Sequence, residues 1–177
     1  MRGEVCTIKK QTVCFIGHSS IPLEISDYLA SKISTAVKEL VLKGFTDFVV
    51  GCAPGFDALA AQEVLSLKRD YPQVKLRIVL PYRIRQFNWS WNDYEFHVSI
   101  LNVADSVEYI SNRPTRNCMR KRNRRIVGMS SVCVCYLNQN TGWTADSVEY
   151  ASTKHLKIVN IENKLAMYSQ LSNIEPR

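Results

Sequence analysis

At 177 residues the chain reads as one domain, 1–177, long enough to bury a sizeable core without disulfide or metal staples. Hydrophobic residues make up 46% and charged residues 22%, the balance of an ordinary globular protein, and no apolar run approaches the ~20 residues of a membrane helix. The net charge of +7 is local: the stretch 113–125 holds seven basic residues and no acid, accounts for the whole excess, and excludes a long basic track over the rest of the chain.

Met1 to Gln11 has no apolar core and does not read as a signal peptide. Thr12 to Gly17 (TVCFIG) predicts a buried first strand. Leu23 to Lys43 carries Ile25, Leu29, Ile33, Val37, Leu40 and Val41 at helical spacing, and Gly44 ends it as a C′ glycine. Phe48 to Val50 is a second strand, and Phe56 to Arg69 a helix with Leu59, Ala60, Val64 and Leu67 on one face. Leu76 to Leu80 is a third strand closed by Pro81. Ser90 caps a helix running to Asn102. Ser106 to Ile110, Val132 to Tyr136 and Lys157 to Ile161 complete the strands; Met119 to Met129, Thr144 to Lys154 and Lys164 to Leu171 complete the helices.

Strands and helices alternate throughout, and the strands are continuous apolar runs. That pattern predicts an α/β fold: a Rossmann-like, doubly wound, mostly parallel sheet of about six strands with helices on both faces. The six cysteines show no CxxC pairing, so a metal site is not expected. Cys133 and Cys135, one residue apart on a strand, share a face and point into packing. Reduced, buried thiols and the lack of a membrane segment place the protein in the cytoplasm, with no membrane partner.

In a doubly wound sheet, ligands bind beyond the C-terminal ends of the strands, so the strand-to-helix turns form one set. The turn after strand two, Gly51-Cys52-Ala53-Pro54-Gly55-Phe56-Asp57, is the most telling. Gly51 and Gly55 allow close backbone approach, and the helix that follows directs N–H groups and its positive end at the turn, where an anionic phosphate fits. Asp57 caps that helix or accepts from a ribose hydroxyl; a plain turn is the other reading. After strand one come Gly17, His18 and Ser19, and after strand five Gly142 precedes Thr144, whose hydroxyl is expected to cap the next helix. Trp143 between them stacks on a base or is simply packed.

On the basic helix, Met119, Asn123, Ile126 and Val127 share the inward face, Arg122 lies at its edge, and Lys121 and Arg125 point to solvent. A mid-helix asparagine facing inward needs partners, which makes Asn123 and Arg122 site candidates, or Asn123 a structural tie to a neighbouring loop. His18 has no recognisable nucleophile or orienting acid beside it and reads as a ligand or backbone contact. His97 and His155 lie on helices and carry no motif. Gln86, Phe87, Trp89, Trp91 and Tyr94 wall a base-binding cleft or form the core-facing side of a helix.

Together these residues resemble the SLOG superfamily, and within it the YpsA-like branch. The resemblance runs from Thr12 to Ile161. It rests on Cys14 to His18, the 51–57 turn, Leu80-Pro81 with Gln86 and Trp89, Ala104-Asp105, Cys118 with Arg122-Asn123 and Ile126-Val127, and Gly142 and Thr144 followed by Tyr150-Ala151. The chain departs from the pattern at Ser19, Gly128, Ser131 and Trp143. The resemblance implies a nucleotide or nucleotide-derived ligand, bound or sensed at the C-terminal edge of the sheet. Relatives imply two alternatives: hydrolysis of a nucleoside phosphate in the manner of the LOG enzymes, and single-strand nucleic-acid binding in the manner of DprA. A homo-oligomer is a further expectation. No cofactor and no catalytic residue is named by the sequence.

Overall fold

The computed structural model of the protein describes residues 11–83 and 90–176. Among them, strands and helices alternate without exception: β1 (Thr12–Ile16), α1 (Leu23–Leu42), β2 (Asp47–Val50), α2 (Phe56–Leu67), β3 (Lys75–Leu80), α3 (Trp91–Val103), β4 (Ser106–Tyr109), α4 (Cys118–Gly128), β5 (Val132–Cys135), α5 (Trp143–Thr153), β6 (Lys157–Asn160) and α6 (Lys164–Ser172). The strands form one sheet in the order β4-β3-β2-β1-β5-β6, and every pairing is parallel. The chain winds outward from β1 to β4, returns, and winds the other way through β5 and β6, so the order reverses between β1 and β5. This is the doubly wound Rossmann-like arrangement, with the sheet fully rather than mostly parallel.

Side-chain alternation along the strands divides the core in two. Val13, Phe15, Phe48, Val50, Leu76, Ile78, Val132 and Val134 face the layer that contains α1, α2 and α6. Cys14, Ile16, Val49, Cys133 and Cys135 face the other layer, against Ile126 and Val127 of α4 and Val148 and Ala151 of α5. Cys14 lies in register with Cys133. All five cysteines of the described residues are reduced and buried.

The helix ends show why the chain stops where it does. Gly44 sits at φ 89°, with its amide on the Val41 carbonyl and the Phe45 amide on that of Leu40, which closes α1 in a Schellman motif. The Ser90 hydroxyl accepts from the Asp93 amide at 3.1 Å and caps α3. The end of α5 repeats the Schellman pattern with His155, not glycine, in the left-handed position at φ 61°. His155 therefore lies beyond its helix, contrary to the sequence expectation.

Asp105 anchors the opposite edge of the sheet from the strand C-termini. Its carboxylate accepts from the Leu76 amide at 2.8 Å and from Lys68 Nζ at 2.7 Å. Burial works against its charge, but these bonds together hold its carboxyl below the ordinary value. The Ala104-Asp105 motif thus fixes where β3 and β4 begin. Trp91 is 71% exposed, so it is not on a core-facing side; Gln86, Phe87 and Trp89 lie outside the described residues.

Candidate functional site

The parallel sheet brings the turns after β1 and β2 to one edge, where α4 and the start of α5 close over them. They enclose a cavity of about 460 Å³, within the range that holds a small organic ligand. The β1 turn contributes Gly17, His18 and Ser19; the β2 turn contributes Ala53 and Pro54 with Asp57 from α2. Arg122 and Asn123 come from α4, and Thr144 from α5. Of the other residues singled out in the sequence, Gly51, Gly55, Pro81 and Gly142 stand outside this lining, and Gln86 lies outside the described residues.

The deepest polar contact is an ion pair. Arg122, 7% exposed, is buried on the inward face of α4 with Cys118, Ile126 and Val127, and not at the edge of that face. Its guanidinium donates to Asp57 Oδ2 at 3.0 Å. The Asp57 carboxylate also accepts from the backbone N–H groups of Ala53 and Gly51. Burial pushes its carboxyl above the ordinary value, while Arg122 and those N–H groups oppose the shift. Asp57 is therefore occupied by the protein's own donors. Among the described residues, Arg122 Nε and His18 Nε2 are buried without a partner.

The glycines serve the packing of these groups. A Cβ on Gly51 would overlap the Arg122 guanidinium, and one on Gly17 would overlap the Phe56 ring. Gly55 has φ +83°, and a Cβ there would lie 2.6 Å from the Ser19 backbone. The backbone proximity expected for a ligand is spent on the β1 turn: the first amide of α2, that of Phe56, donates to the His18 carbonyl at 3.0 Å. One of the N–H groups expected to face a ligand there is thus taken up by the protein itself.

Two further expectations are corrected. Thr144 does not cap α5; the helix begins after Gly142, at φ 91°, without a side-chain cap. The Thr144 hydroxyl instead reaches the Gly17 carbonyl and His18 Nδ1, each at 3.4 Å. Asn123 donates to Ser147 Oγ at 2.8 Å, so its tie is to the next helix and not to a loop, and Ser147 in turn donates to the Trp143 carbonyl. Met119 lines the cavity but is 46% exposed, so it leaves the inward face of α4.

Sequence reasoning had not singled out Arg116 and Arg120, both exposed and both on the lining. Neither meets a carboxylate among the described residues, whereas Arg125 pairs with Glu108 at 2.8 Å. Their signal was the basic segment itself. Cys52 is the thiol of the β2 turn. Burial, with the Asp57 charge adding to it, pushes that thiol up to about 12 against the pull of Arg122. It stays protonated and is no nucleophile at neutral pH. His97 of α3 holds the same turn from behind, with Nδ1 3.0 Å from the Cys52 carbonyl.

These features define a Rossmann-like α/β protein with a cation-lined cavity over the strand ends. The YpsA family model, described as the YspA SLOG family, matches residues 23–168, and the chain belongs to that family. It is 32% identical over 103 residues to a UPF0398 protein of Shouchella clausii, an overlap covering 56% of this chain and 55% of that one. With a UPF0398 protein of Bacillus cereus it shares 22% identity over 85% of this chain and 80% of the other. The SPbeta prophage-derived protein YoqJ of Bacillus subtilis is 25% identical, covering 72% of this chain and 82% of its own. Among solved structures, DNA processing protein A (DprA) of Streptococcus pneumoniae matches with a TM-score of 0.58 at 13% identity, covering 97% of this chain and 59% of that one. The Helicobacter pylori DprA, solved for its single-stranded DNA binding mode, matches with a TM-score of 0.56 at 16% identity, covering 94% and 76%. The chain thus spans little more than half of the Shouchella and Streptococcus proteins. At these identities the structural matches show the fold.

Proposed function

We propose that the protein binds or senses a nucleotide or nucleotide-derived ligand in the cavity over the ends of β1 and β2. The observation that carries this reading is the pair Arg116 and Arg120, two cations facing a cavity with no carboxylate partner among the described residues. The starts of α2 and α5 flank the same cavity and add positive potential. In this reading Gly17, His18, Ser19, Ala53, Asn123 and Thr144 meet the ligand, Asp57 and Arg122 form the wall behind it, and Gly51 and Gly55 give room to that wall and to the β1 turn from outside the lining. Reduced thiols agree with a cytoplasmic setting.

Binding without turnover fits the carboxylates. Hydrolysis of a nucleoside phosphate calls for a carboxylate at the anomeric carbon. Asp57, the acid of the described lining, is held by Arg122 and two amides.

Calorimetry with AMP, ADP-ribose and NAD tests the reading. At least one is expected to bind, and Arg116→Ala with Arg120→Ala is expected to weaken it about tenfold or more, since each removes a charge-assisted contact to phosphate. Both residues are exposed, so the variant should melt as the wild type does. Folded protein that binds none of the three overturns the reading.

A further inference from the structure

The α4–α5 side of the cavity is a thin wall. Arg120, Asn123, Trp143 and Ser147 also line a second cavity of about 360 Å³, cut between α4 and α5. Its far side is formed by Arg124 of α4 and by Asp146, Glu149 and Tyr150 of α5. Each cavity alone is of ligand-binding size, and four side chains are all that the two share as a wall. The inner part of that wall is the Asn123–Ser147 hydrogen bond. The outer part is Arg120 with its guanidinium 5.8 Å from the Trp143 ring centroid. Trp143 remains 69% exposed there, an aromatic face in water at the junction of two cavities.

The charges are ordered along this path. Among the described residues, the first cavity presents Arg116 and Arg120 over a single, already paired, acid. The second balances Arg120 and Arg124 against Asp146 and Glu149. A lining of balanced charge gives a second free phosphate no net attraction and suits an uncharged group rich in hydroxyls and amines, whose protons carboxylates accept. Arg120 belongs to both cavities and stands where a linking phosphate would pass.

We infer that the ligand is two nucleosides joined by phosphate, one in each cavity, with the link at Arg120 and a base against Trp143. This rests on the proposed nucleotide reading of the first cavity. The shared chemistry has two sources: a free dinucleotide with a pyrophosphate link, or the end of a single strand with a phosphodiester link.

The experiment is calorimetry of the full chain with AMP, NAD and the 5′-phosphorylated dinucleotide pApA. Binding of NAD or pApA at least about tenfold tighter than AMP is expected, and which of them gains identifies the source. Arg124→Ala with Glu149→Gln alters the second cavity alone. Both residues are exposed, so the fold should hold, and melting temperature checks it. This variant is expected to keep AMP affinity within about threefold and to lose most of the gain. AMP binding with no gain for either two-nucleoside compound overturns the inference and leaves the nucleotide reading standing. A gain that survives the double variant overturns the placement in the second cavity. Folded protein that binds none of the three overturns both.

Discussion

Gly17 and Gly51 give their missing side-chain volume to the protein's own groups, the Phe56 ring and the Arg122 guanidinium. Phe56 is fully buried and stacks with Tyr136, ring centroids 6.3 Å apart, so it has nowhere to go. Gly17→Ala is therefore expected to cost about 1–3 kcal/mol as overpacking. Arg122 sits on a flexible side chain and could swing, but only by leaving Asp57. Gly51→Ala is expected to be comparably destabilising, because it separates a buried ion pair and takes from Asp57 the cation that opposes its burial. Gly128 provides the contrast: a Cβ there meets nothing within 4 Å, and the residue closes α4. Gly128→Ala should stabilise by about 0.5 kcal/mol through chain entropy and helix propensity. Chemical denaturation of the three variants measures these differences, and a neutral Gly17→Ala would refute the packing argument. The glycine pattern was legible in the sequence, but its use was not. Arg122 and Asp57 lie 65 residues apart, and only the strand order places α4 above the β2 turn.

Local signals located the elements well. Gly44 and Ser90 act through backbone groups within a few residues, so their roles could be read directly. Thr144 could not, since a hydroxyl caps a helix only from the position before it begins. With Trp143 as the first helical residue, Thr144 is one step inside, and its hydroxyl is free to reach the β1 turn. His97 was equally unreadable, because its partner is a carbonyl 45 residues away. Its burial lowers its proton affinity from the ordinary value of 6.5, with the Cys52 carbonyl opposing. A histidine with a depressed folded value adds stability above its unfolded value, and that stability is lost as pH falls through 6.5 toward the folded value. The melting temperature is therefore expected to fall as pH drops below 6.5, and His97→Gln should flatten that part of the profile. An unchanged profile in the variant would assign the acid sensitivity elsewhere. The loosened element would be the β2 turn, so ligand affinity should decline over the same range.

At the scale of the whole molecule, a neutral body carries one basic segment, and the fold decides how much of it is available. Arg122 is buried against Asp57, and Arg125 is bound to Glu108 of the edge strand by two hydrogen bonds of 2.8 and 2.9 Å. Arg116 and Arg120 face the cavity, and Lys121 stays in solvent. The periodicity of α4 had already separated Lys121 and Arg125 from the inward residues, but the Glu108 pair appears only once β4 lies beside α4. The double change Lys121→Ala with Arg125→Ala therefore distinguishes a pocket ligand from a strand lying across the surface. A nucleotide in the cavity should keep its affinity within about threefold, because exposed charges beyond the lining are screened and contribute well under ~1 kcal/mol. Loss of the half-exposed Glu108 pair costs a similarly small amount, so the fold should hold. A single strand running over α4 would instead lose affinity and about one unit of salt slope for each phosphate contact removed. Titration of AMP and of an oligonucleotide at 50 and 200 mM salt, on wild type and variant matched in melting temperature, reads both effects. Loss of AMP binding in this variant, with Asn123→Ala still binding, would move the site from the cavity to the outer face of α4.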